Sequence, residues 1–238
     1  MSYRFFGTFV NNAVVLSEED IFHLTKVLRL KKNETFEVVC GDNLYLCTFE
    51  NVNPFILNVL EKSVLPLEPL PRLTLGYALP KGDKLELVIQ KAVEIGVNDI
   101  ILIDSERSIG QIPAARRDSR LARFNKIIKS AAMQSNRNYI PKIIGPLSFK
   151  EVLDLKYDTK IIAHESARVP LKEVLQQDLG ESLLILVGPE GGFSEAEVTL
   201  ASNNGFKVIT FGDNILRSET AAIYALSVLH HYQKGAEK

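Results

Sequence analysis

The second part of the chain alternates short apolar segments with amphipathic ones, and this alternation limits the fold more than any other feature. The apolar segments predict strands at residues 73–79, 100–103, 142–144, 160–163, 183–187 and 208–211. One amphipathic segment, residues 84–95, repeats apolar side chains at helical spacing from Leu85 and ends before Gly96. A chain that alternates strands with helices in this way forms an α/β domain with a mostly parallel sheet.

The first ~65 residues have a different pattern, which predicts a small β domain. Strand-like segments lie at residues 4–6, 13–16, 36–40, 44–51 and 55–63, and a helix begins after Ser17 with Asp20 at capping spacing. Residues 65–71 then place prolines at positions 66, 69 and 71, which suits a stiff extended connector. We therefore predict one domain over residues 1–68 and a second over residues 72–238.

Length and composition are those of an ordinary folded protein. The chain has 238 residues, which suits two domains of unequal size. Apolar runs such as residues 183–187 are far shorter than the ~18 residues that span a bilayer, and the first residues contain no secretory signal. The spacing of Cys40 and Cys47 fits no zinc or redox motif, so we expect both to be reduced. These features predict a cytoplasmic protein with no membrane and no metal.

The strongest motif is a predicted strand that leads into the glycine loop, Gly188-Pro189-Glu190-Gly191-Gly192, and then into a helix that Ser194 and Glu197 cap. Paired glycines let a flat ligand approach the backbone closely, although on their own they are more typical of a tight turn. The loop matches neither GxxxxGK[ST] nor GxGxxG, and it offers Glu190 where a polyphosphate needs a lysine. It therefore disfavours a nucleoside triphosphate and tolerates a ligand with positive charge.

A second loop, residues 211–217, leads into the last helix. We expect Ser218 to cap this helix, and Glu219 in its first turn suits the helix dipole. Arg217 at the same place opposes the dipole. It either points into solvent, pairs with Glu219 or Glu190, or serves a function, since breaks of local rules tend to mark functional sites.

His164 directly follows the predicted strand at residues 160–163. A single histidine there is more often structural than catalytic. The carboxyl ends of parallel strands, however, share one edge of a sheet, where ligands bind. We therefore expect His164, the glycine loop and residues 211–217 to converge.

Positive charge is concentrated between residues 105 and 142, which contain nine Lys or Arg against two acids, although the whole chain carries a net charge of -1. Arg116, Arg120 and Arg123 share one face of a predicted helix, and apolar residues occupy the opposite face. The near absence of compensating acids favours phosphate binding over simple solvation. Residues 136–139 add polar groups and Tyr139, whose ring can stack on an unpaired base. RNA is the favoured partner.

Seven short motifs occur in order along the chain. They are Arg4-Phe5-Phe6, His23-Leu24-Thr25-Lys26-Val27-Leu28-Arg29, Gln90-Lys91-Ala92-Val93-Glu94-Ile95-Gly96-Val97, Ser105-Glu106-Arg107-Ser108, Gln134-Ser135-Asn136-Arg137, the glycine loop with Phe193-Ser194, and Leu216-Arg217-Ser218-Glu219-Thr220-Ala221. Together they resemble the ribosomal RNA small-subunit methyltransferase E family of the SPOUT superfamily, over nearly the whole chain.

The resemblance implies a fold and an activity. It implies a PUA-like β barrel that binds RNA over residues 1–68 and a SPOUT α/β domain with a trefoil knot over residues 72–238. It also implies a homodimer that uses S-adenosylmethionine to methylate N3 of uridine in 16S ribosomal RNA. Cofactor binding in the knot loops then falls on His164, Glu165, Val187, Gly188, Pro189, Gly191, Gly192, Ile215, Leu216, Thr220 and Ala221.

The chemistry of that reaction suggests roles for three charged residues. Methyl transfer to N3 needs the loss of a proton and leaves negative charge on the uracil oxygens. Our hypothesis is that Arg217 stabilises this charge and that Glu190 or Glu219 removes or relays the proton.

RNA contacts are expected mainly at phosphates, which position the substrate without reading its sequence. The candidates are Arg4, Arg29, Lys31, Lys32, Arg107, Arg116, Arg120, Arg123 and Arg137. The expected partner is ribosomal RNA or the small ribosomal subunit. The alternatives are a related SPOUT enzyme with a different rRNA or tRNA target, and a non-catalytic RNA-binding protein.

Overall fold

The computed structural model describes residues 3–11, 13–66 and 69–233. The chain divides into two compact units, of which the first contains Met1–Leu67 and Ala132–Ile140 and the second contains Glu68–Ala131 and Pro141–Lys238. Leu67 and Glu68, where we place the end of the first predicted domain, lie outside the described residues. The domain limits 1–68 and 72–238 therefore stay a prediction.

The first unit is built mainly from strands. In chain order its elements are β1 (Arg4–Phe6), β2 (Thr8–Val10), β3 (Ala13–Val15), α1 (Glu18–Phe22), which continues as a π-helical turn (His23–Val27), β4 (Phe36–Cys40), β5 (Asn43–Val52) and β6 (Phe55–Val64). One sheet has the order β1-β4-β5-β6, and β2 pairs with β3 as a separate hairpin. Only β1 and β4 run parallel in this sheet, so local hairpins make most of it.

Aromatic and aliphatic side chains fill the core of this unit. The rings of Phe5 and Phe36, both fully buried, meet edge to face with their centroids 5.8 Å apart. Cys40 and Cys47 are buried as free thiols on β4 and β5, which confirms that both are strand residues. Burial raises the pKa of Cys47 to about 12, so this thiol is unreactive at neutral pH.

The second unit alternates strands and helices, as predicted. In chain order its elements are β7 (Arg72–Ala78), α2 (Lys84–Ile95), β8 (Asp99–Asp104), α3 (Arg117–Gln134, whose last residues belong to the first unit), β9 (Lys142–Ser148), α4 (Phe149–Leu153), β10 (Thr159–Ala163), β11 (Val169–Pro170), α5 (Leu171–Leu175), β12 (Ser182–Val187), α6 (Glu195–Asn203), β13 (Lys207–Thr210) and α7 (Ser218–Tyr232). The sequence pattern did not predict β11, because it is only two residues long.

All seven strands of this unit form one parallel sheet in the order β11-β13-β10-β12-β7-β8-β9. β10 lies between β13 and β12, so the segments that follow these three strands emerge side by side. Central strands such as β12 are buried along nearly their whole length, which explains their continuous apolar sequences. This order of strands determines where the candidate site lies.

Helix α3 differs in one detail from the expected basic helix. It begins at Arg117, and Arg116 closes the short 3₁₀ turn that precedes it. Phe124 and Ile128 are fully buried, as the apolar face requires.

No helix in the described part of the chain is long and apolar enough to cross a membrane.

Replacing Phe36 by alanine should destabilise the first unit by about 3–5 kcal/mol, since it removes a fully buried ring and leaves a cavity. Equilibrium urea unfolding followed by circular dichroism measures the change. Phe22, whose exposed fraction is 60%, is the matched control. Its replacement by alanine should alter the free energy of unfolding by less than about 0.5 kcal/mol. Equal losses in the two variants would contradict this account of the core.

Candidate active site

Three segments at the carboxyl ends of β10, β12 and β13 enclose a cleft of about 150 Å³. The structure thus brings together the loops that the sequence analysis expected to converge. The lining residues are Ala163, His164, Glu165, Val187, Gly188, Pro189, Glu190, Gly192, Thr210, Phe211, Gly212, Asp213, Asn214, Ile215, Leu216, Ser218 and Ala221. Among the residues predicted to bind the cofactor, Gly191 and Thr220 do not line the cleft, although each is next to a residue that does.

The glycine loop is held in a compact turn. The Gly192 amide donates a 2.9 Å hydrogen bond to the Pro189 carbonyl, and Gly192 has a φ of +66°, which favours glycine. A Cβ atom on Gly188 would approach the Phe193 nitrogen to 3.0 Å, so this position is also too crowded for a side chain. The loop therefore exposes backbone to the cleft, as close contact with a flat ligand requires.

Residues after β8 support the glycine loop from outside the cleft. Arg107 Nη1 donates a 2.9 Å hydrogen bond to the Gly191 carbonyl. Ser194 donates a 2.6 Å hydrogen bond to Glu106, and the Glu106 amide donates to Glu197. Ser194 and Glu197 also form the predicted capping box of α6. Arg107, a predicted RNA contact, thus has a structural role in this unit.

Ser218 is buried and does not cap α7, which corrects the sequence prediction. The N-cap position is Arg217, which makes no capping hydrogen bond from its side chain, and Ser218 is the first residue of the helix. The Ser218 hydroxyl donates a 2.6 Å hydrogen bond to the Gly188 carbonyl and lies 3.0 Å from the Tyr77 hydroxyl. It turns inward because this arrangement satisfies a buried hydroxyl and a buried carbonyl. Burial raises the pKa of Tyr77 to about 12, so its hydroxyl stays protonated.

The ring of His164 is fixed by the loops on both sides. Its Nε2 lies 3.2 Å from the Phe193 carbonyl, and its Nδ1 lies 2.8 Å from the Ser166 hydroxyl. A carbonyl only accepts, so Nε2 carries the proton and Nδ1 accepts from Ser166. This arrangement uses both ring nitrogens for structure and fits a histidine that positions a loop.

The two candidate proton acceptors share one cation, Lys84, which the sequence analysis did not identify. Lys84 Nζ lies 3.4 Å from Glu190 Oε1 and 3.1 Å from Glu219 Oε2. The contact with Glu219 is an ion pair without the alignment of a hydrogen bond. The Lys81 amide donates to both carboxylate oxygens of Glu190 at 3.2 Å. Lys84 was missed because only the fold brings these segments together.

These contacts shift the pKa values of Lys84 and Glu219 in opposite directions. Contact with Glu219, more than the weaker interaction with Glu190, raises the pKa of Lys84. Burial by itself raises the pKa of Glu219, but its own backbone amide, Lys84 and the charge of Arg217 together lower it. Glu219 is therefore ionised at neutral pH and is a weak base.

The charge of the cleft is negative. Glu165, Glu190 and Asp213 line it, and none of its lining residues is Lys or Arg. Such a site attracts a cation and repels a polyphosphate. Arg217 is exposed beside the cleft, and within the described residues its side chain makes no ion pair or hydrogen bond. The two carboxylates considered as its partners bind Lys84 instead.

The basic residues of the second unit have partners that the sequence did not reveal. Glu86 on α2 pairs with Arg123 at 2.7 Å and with Arg120 at 4.0 Å, so this face of α3 is partly compensated in space. Arg116 is exposed in its 3₁₀ turn. These contacts correct the expectation that this face nearly lacks compensating acids. The sequence did not reveal the pairing because Glu86 lies outside the basic segment.

In the first unit, Arg4 is largely buried, with 12% of its side chain exposed. It pairs with Glu37 at 2.7 Å and donates to the carbonyl of Asn136 and the side chain of Asn138. Arg137 lies over the Tyr139 ring at 4.7 Å and donates to its hydroxyl. Arg4 thus holds the turn that carries Arg137. The remaining candidates in this unit, Arg29, Lys31 and Lys32, are exposed.

The end of β13 and the loop after it contribute more to the cleft than the sequence predicted. Thr210, the last residue of β13, and Phe211, Asp213 and Asn214 line the cleft, yet only the neighbouring Ile215 and Leu216 were predicted as cofactor contacts. Their position at the carboxyl end of a parallel strand was the available signal.

Comparison with known families agrees with this geometry. Residues 67–230 match the family model described as an RNA methyltransferase domain, and residues 16–58 match an RNA methyltransferase PUA domain. A ribosomal RNA small subunit methyltransferase E of Mesomycoplasma hyopneumoniae (strain 232) is 36% identical over 229 residues, covering 94% of this chain and 97% of the relative. The protein of that name from Bacillus subtilis (strain 168) is 31% identical over 233 residues, covering 91% and 89%.

Solved structures give the same result. The ribosomal RNA small subunit methyltransferase E of Neisseria gonorrhoeae, bound to S-adenosyl methionine, has a TM-score of 0.85 at 29% identity and covers 97% of this chain and 98% of its own. A methyltransferase of Legionella pneumophila, in complex with the same cofactor, has a TM-score of 0.87 at 28% identity and the same coverage.

The fold is that of the SPOUT methyltransferases, with a PUA-like β unit and an α/β unit that has a trefoil knot, as the sequence resemblance implied. The chain belongs to the ribosomal RNA small subunit methyltransferase E family. Across the described ranges, no three His, Cys, Asp or Glu side chains lie close enough together to hold a metal ion.

Replacing Ser218 by alanine should lower the free energy of unfolding by about 1–3 kcal/mol, since it leaves the Gly188 carbonyl and the Tyr77 hydroxyl without their partner. Chemical denaturation measures this loss. Ser227 on the same helix is a matched control, because its exposed hydroxyl donates only to the Ile223 carbonyl. A Ser227→Ala variant as unstable as Ser218→Ala would mean that the loss comes from the helix and not from the buried contact.

Proposed function

We propose that this protein transfers a methyl group from S-adenosylmethionine to N3 of a uridine in small-subunit ribosomal RNA. One observation carries the proposal: a cleft of exposed backbone and carboxylates, without a lining Lys or Arg, lies beside Arg217, which forms no ion pair with any residue that the structure describes. The cleft suits a cationic donor, and the arginine suits an acceptor on which negative charge develops. A similar structure named ribosomal RNA small subunit methyltransferase E and another named as a methyltransferase are both bound to the same donor, which supports the proposal.

The residues of the cleft fit that donor. Gly192 has open space where a side chain would begin, which leaves room for a flat group against the backbone, and the apolar side chains of Val187, Ile215 and Leu216 suit an adenine ring. The carboxylates of Glu165 and Asp213 suit its positive groups. When bound, S-adenosylmethionine supplies an electrophilic methyl group on a sulfonium.

The proposed role of Arg217 is to stabilise the negative charge that develops on the uracil oxygens. Its guanidinium is exposed at the start of α7 and has no competing partner in the described residues. A planar guanidinium offers two parallel donors in a fixed orientation. It therefore suits a planar base with carbonyl oxygens better than an ammonium does.

The proposed role of Glu190 or Glu219 is to remove or relay the N3 proton. The lowered pKa of Glu219 makes it a weak base, so it fits a relay that passes the proton to water better than a base that keeps it. Glu190 is bound by Lys81 and Lys84, which also fits a residue that orients the glycine loop.

For RNA binding we propose that both units contribute basic residues that contact phosphates. The exposed candidates are Arg29, Lys31 and Lys32 in the first unit and Arg107, Arg116 and Arg123 in the second, together with Arg137 beside Tyr139. The proposal includes a homodimer and a cytoplasmic location.

The proposed target is tested by mapping the modified nucleoside. Purified protein, S-adenosylmethionine and either free 16S rRNA or small subunits from cells that lack the protein should yield N3-methyluridine on nucleoside mass spectrometry. Transfer RNA and large-subunit RNA serve as control substrates. A methyl group on another base, or only on a control substrate, would replace the proposed target. RNA binding with no transferred methyl group would indicate a non-catalytic protein.

Replacing Arg217 by alanine should slow single-turnover methylation by about 10²–10³-fold at saturating cofactor, the usual cost of removing a donor that stabilises developing charge. Arg217→Lys should retain part of the rate because it keeps the charge. Arg168, an exposed arginine of the same unit that does not line the cleft, is the control for Arg→Ala replacement. A wild-type rate for Arg217→Ala would remove this residue from the chemistry.

A further inference from the structure

Two neighbouring helices begin with a cation, against the helix dipole. Lys84 is the first residue of α2, and Arg217 is the N-cap residue of α7. A positive charge at a helix N-terminus is unfavourable unless an anion offsets it. Asp83 at the N-cap and Glu86 in the first turn supply negative charge to α2, and Glu190 and Glu219 are the anions that Lys84 itself binds.

This sharing decides the environment of Arg217. Glu219 is only two residues from Arg217, and the charge of this arginine helps to lower the pKa of the Glu219 carboxyl. Nevertheless the carboxylate pairs with Lys84, at 3.1 Å, and Arg217 makes no ion pair in the described part of the chain. If the ammonium of Lys84 were absent, Arg217 would be left as a cation whose charge acts on Glu219.

We propose that Lys84 is a positioning residue of this site: by binding Glu190 and Glu219 it keeps both carboxylates from pairing with Arg217, which leaves the guanidinium available to the substrate. Its consequence for catalysis rests on the proposed function. The competition between Lys84 and Arg217 for the carboxylates is a property of the protein alone and is tested without RNA or cofactor.

The character of Lys84 suits this task. Its pKa is raised, first by its contact with Glu219, so it remains charged throughout the neutral and mildly alkaline range. About a third of its side chain is exposed (34%), so the charge is not buried at great cost. Its position in the first turn of α2 places the ammonium beside the glycine loop and the start of α7 at once.

The first experiment measures how fast phenylglyoxal modifies Arg217 in the free protein, by peptide mass spectrometry. In Lys84→Met the rate at Arg217 should fall about two- to fivefold, the range expected for capture in an exposed ion pair. Lys84→Met/Glu190→Gln/Glu219→Gln should restore it, since both carboxylates that could capture Arg217 are then neutral. Lys91→Met is the matched control, because Lys91 is on the same helix, is similarly exposed at 39% and pairs with Glu94.

The second experiment compares single-turnover methylation with the affinity for S-adenosylhomocysteine. Lys84→Met should lose rate by the same two- to fivefold factor, while calorimetry gives an affinity close to that of the wild type. Lys84→Arg should restore both the rate and the labelling of Arg217. Because labelling needs no methylation, an inactive protein that still shows the labelling pattern would contradict the proposed function and leave the ion-pair competition intact.

Specific outcomes would overturn the inference. Unchanged labelling of Arg217 in Lys84→Met, or slowed labelling that neutralising both Glu190 and Glu219 does not restore, would show that the carboxylates do not compete for this arginine. Loss of cofactor affinity in parallel with rate would mean that Lys84 holds only the loop. If Lys84→Met does not fold by circular dichroism, Lys84→Gln undergoes the same measurements with the same expected changes.

Discussion

The backbone hydrogen bonds that place β10 between β12 and β13 determine where this protein can hold a ligand. A parallel sheet sends the segments after its strands to one edge, and neighbours in the sheet remain neighbours at that edge. The three segments are distant in sequence, yet they enclose one cleft. The Ser218 hydroxyl then joins α7 to the glycine loop through the Gly188 carbonyl. The site is therefore set by strand order first and by side chains second.

Electrostatics divide this site into two parts. The lining of the cleft contains carboxylates and no Lys or Arg, whereas Arg217 and Lys84 lie just outside it at helix starts. Cations at these positions oppose the helix dipoles, and they are offset by Glu190 and Glu219 together with Asp83 and Glu86 of α2. An arrangement that breaks a local rule twice within one small region is typical of a functional site, where a free charge matters more than the stability it costs.

The sequence predicted features that depend on local pattern. It did not predict contacts between side chains that are distant in sequence. The bounds of α2, the capping box of α6 and the convergence of three loops follow from periodicity, capping chemistry and the geometry of parallel strands. Ser218 was expected to cap α7 because isolated helices favour serine there, but a buried carbonyl competes for its hydroxyl. Likewise the basic face of α3 was expected to lack acids, because Glu86 is far from it in sequence. The family resemblance added the knot and the cofactor, which no spacing in the chain indicates.

The first unit is discontinuous, and this affects how the protein is made. Its compact region includes Ala132–Ile140, where Arg4 binds the carbonyl of Asn136 and the side chain of Asn138. Met133 packs against the same core. During translation the N-terminal strands leave the ribosome well before this closing segment is synthesised. More than half of the polypeptide must therefore be synthesised before the last contacts of the first unit can form. The first unit is completed only after part of the second unit has been made.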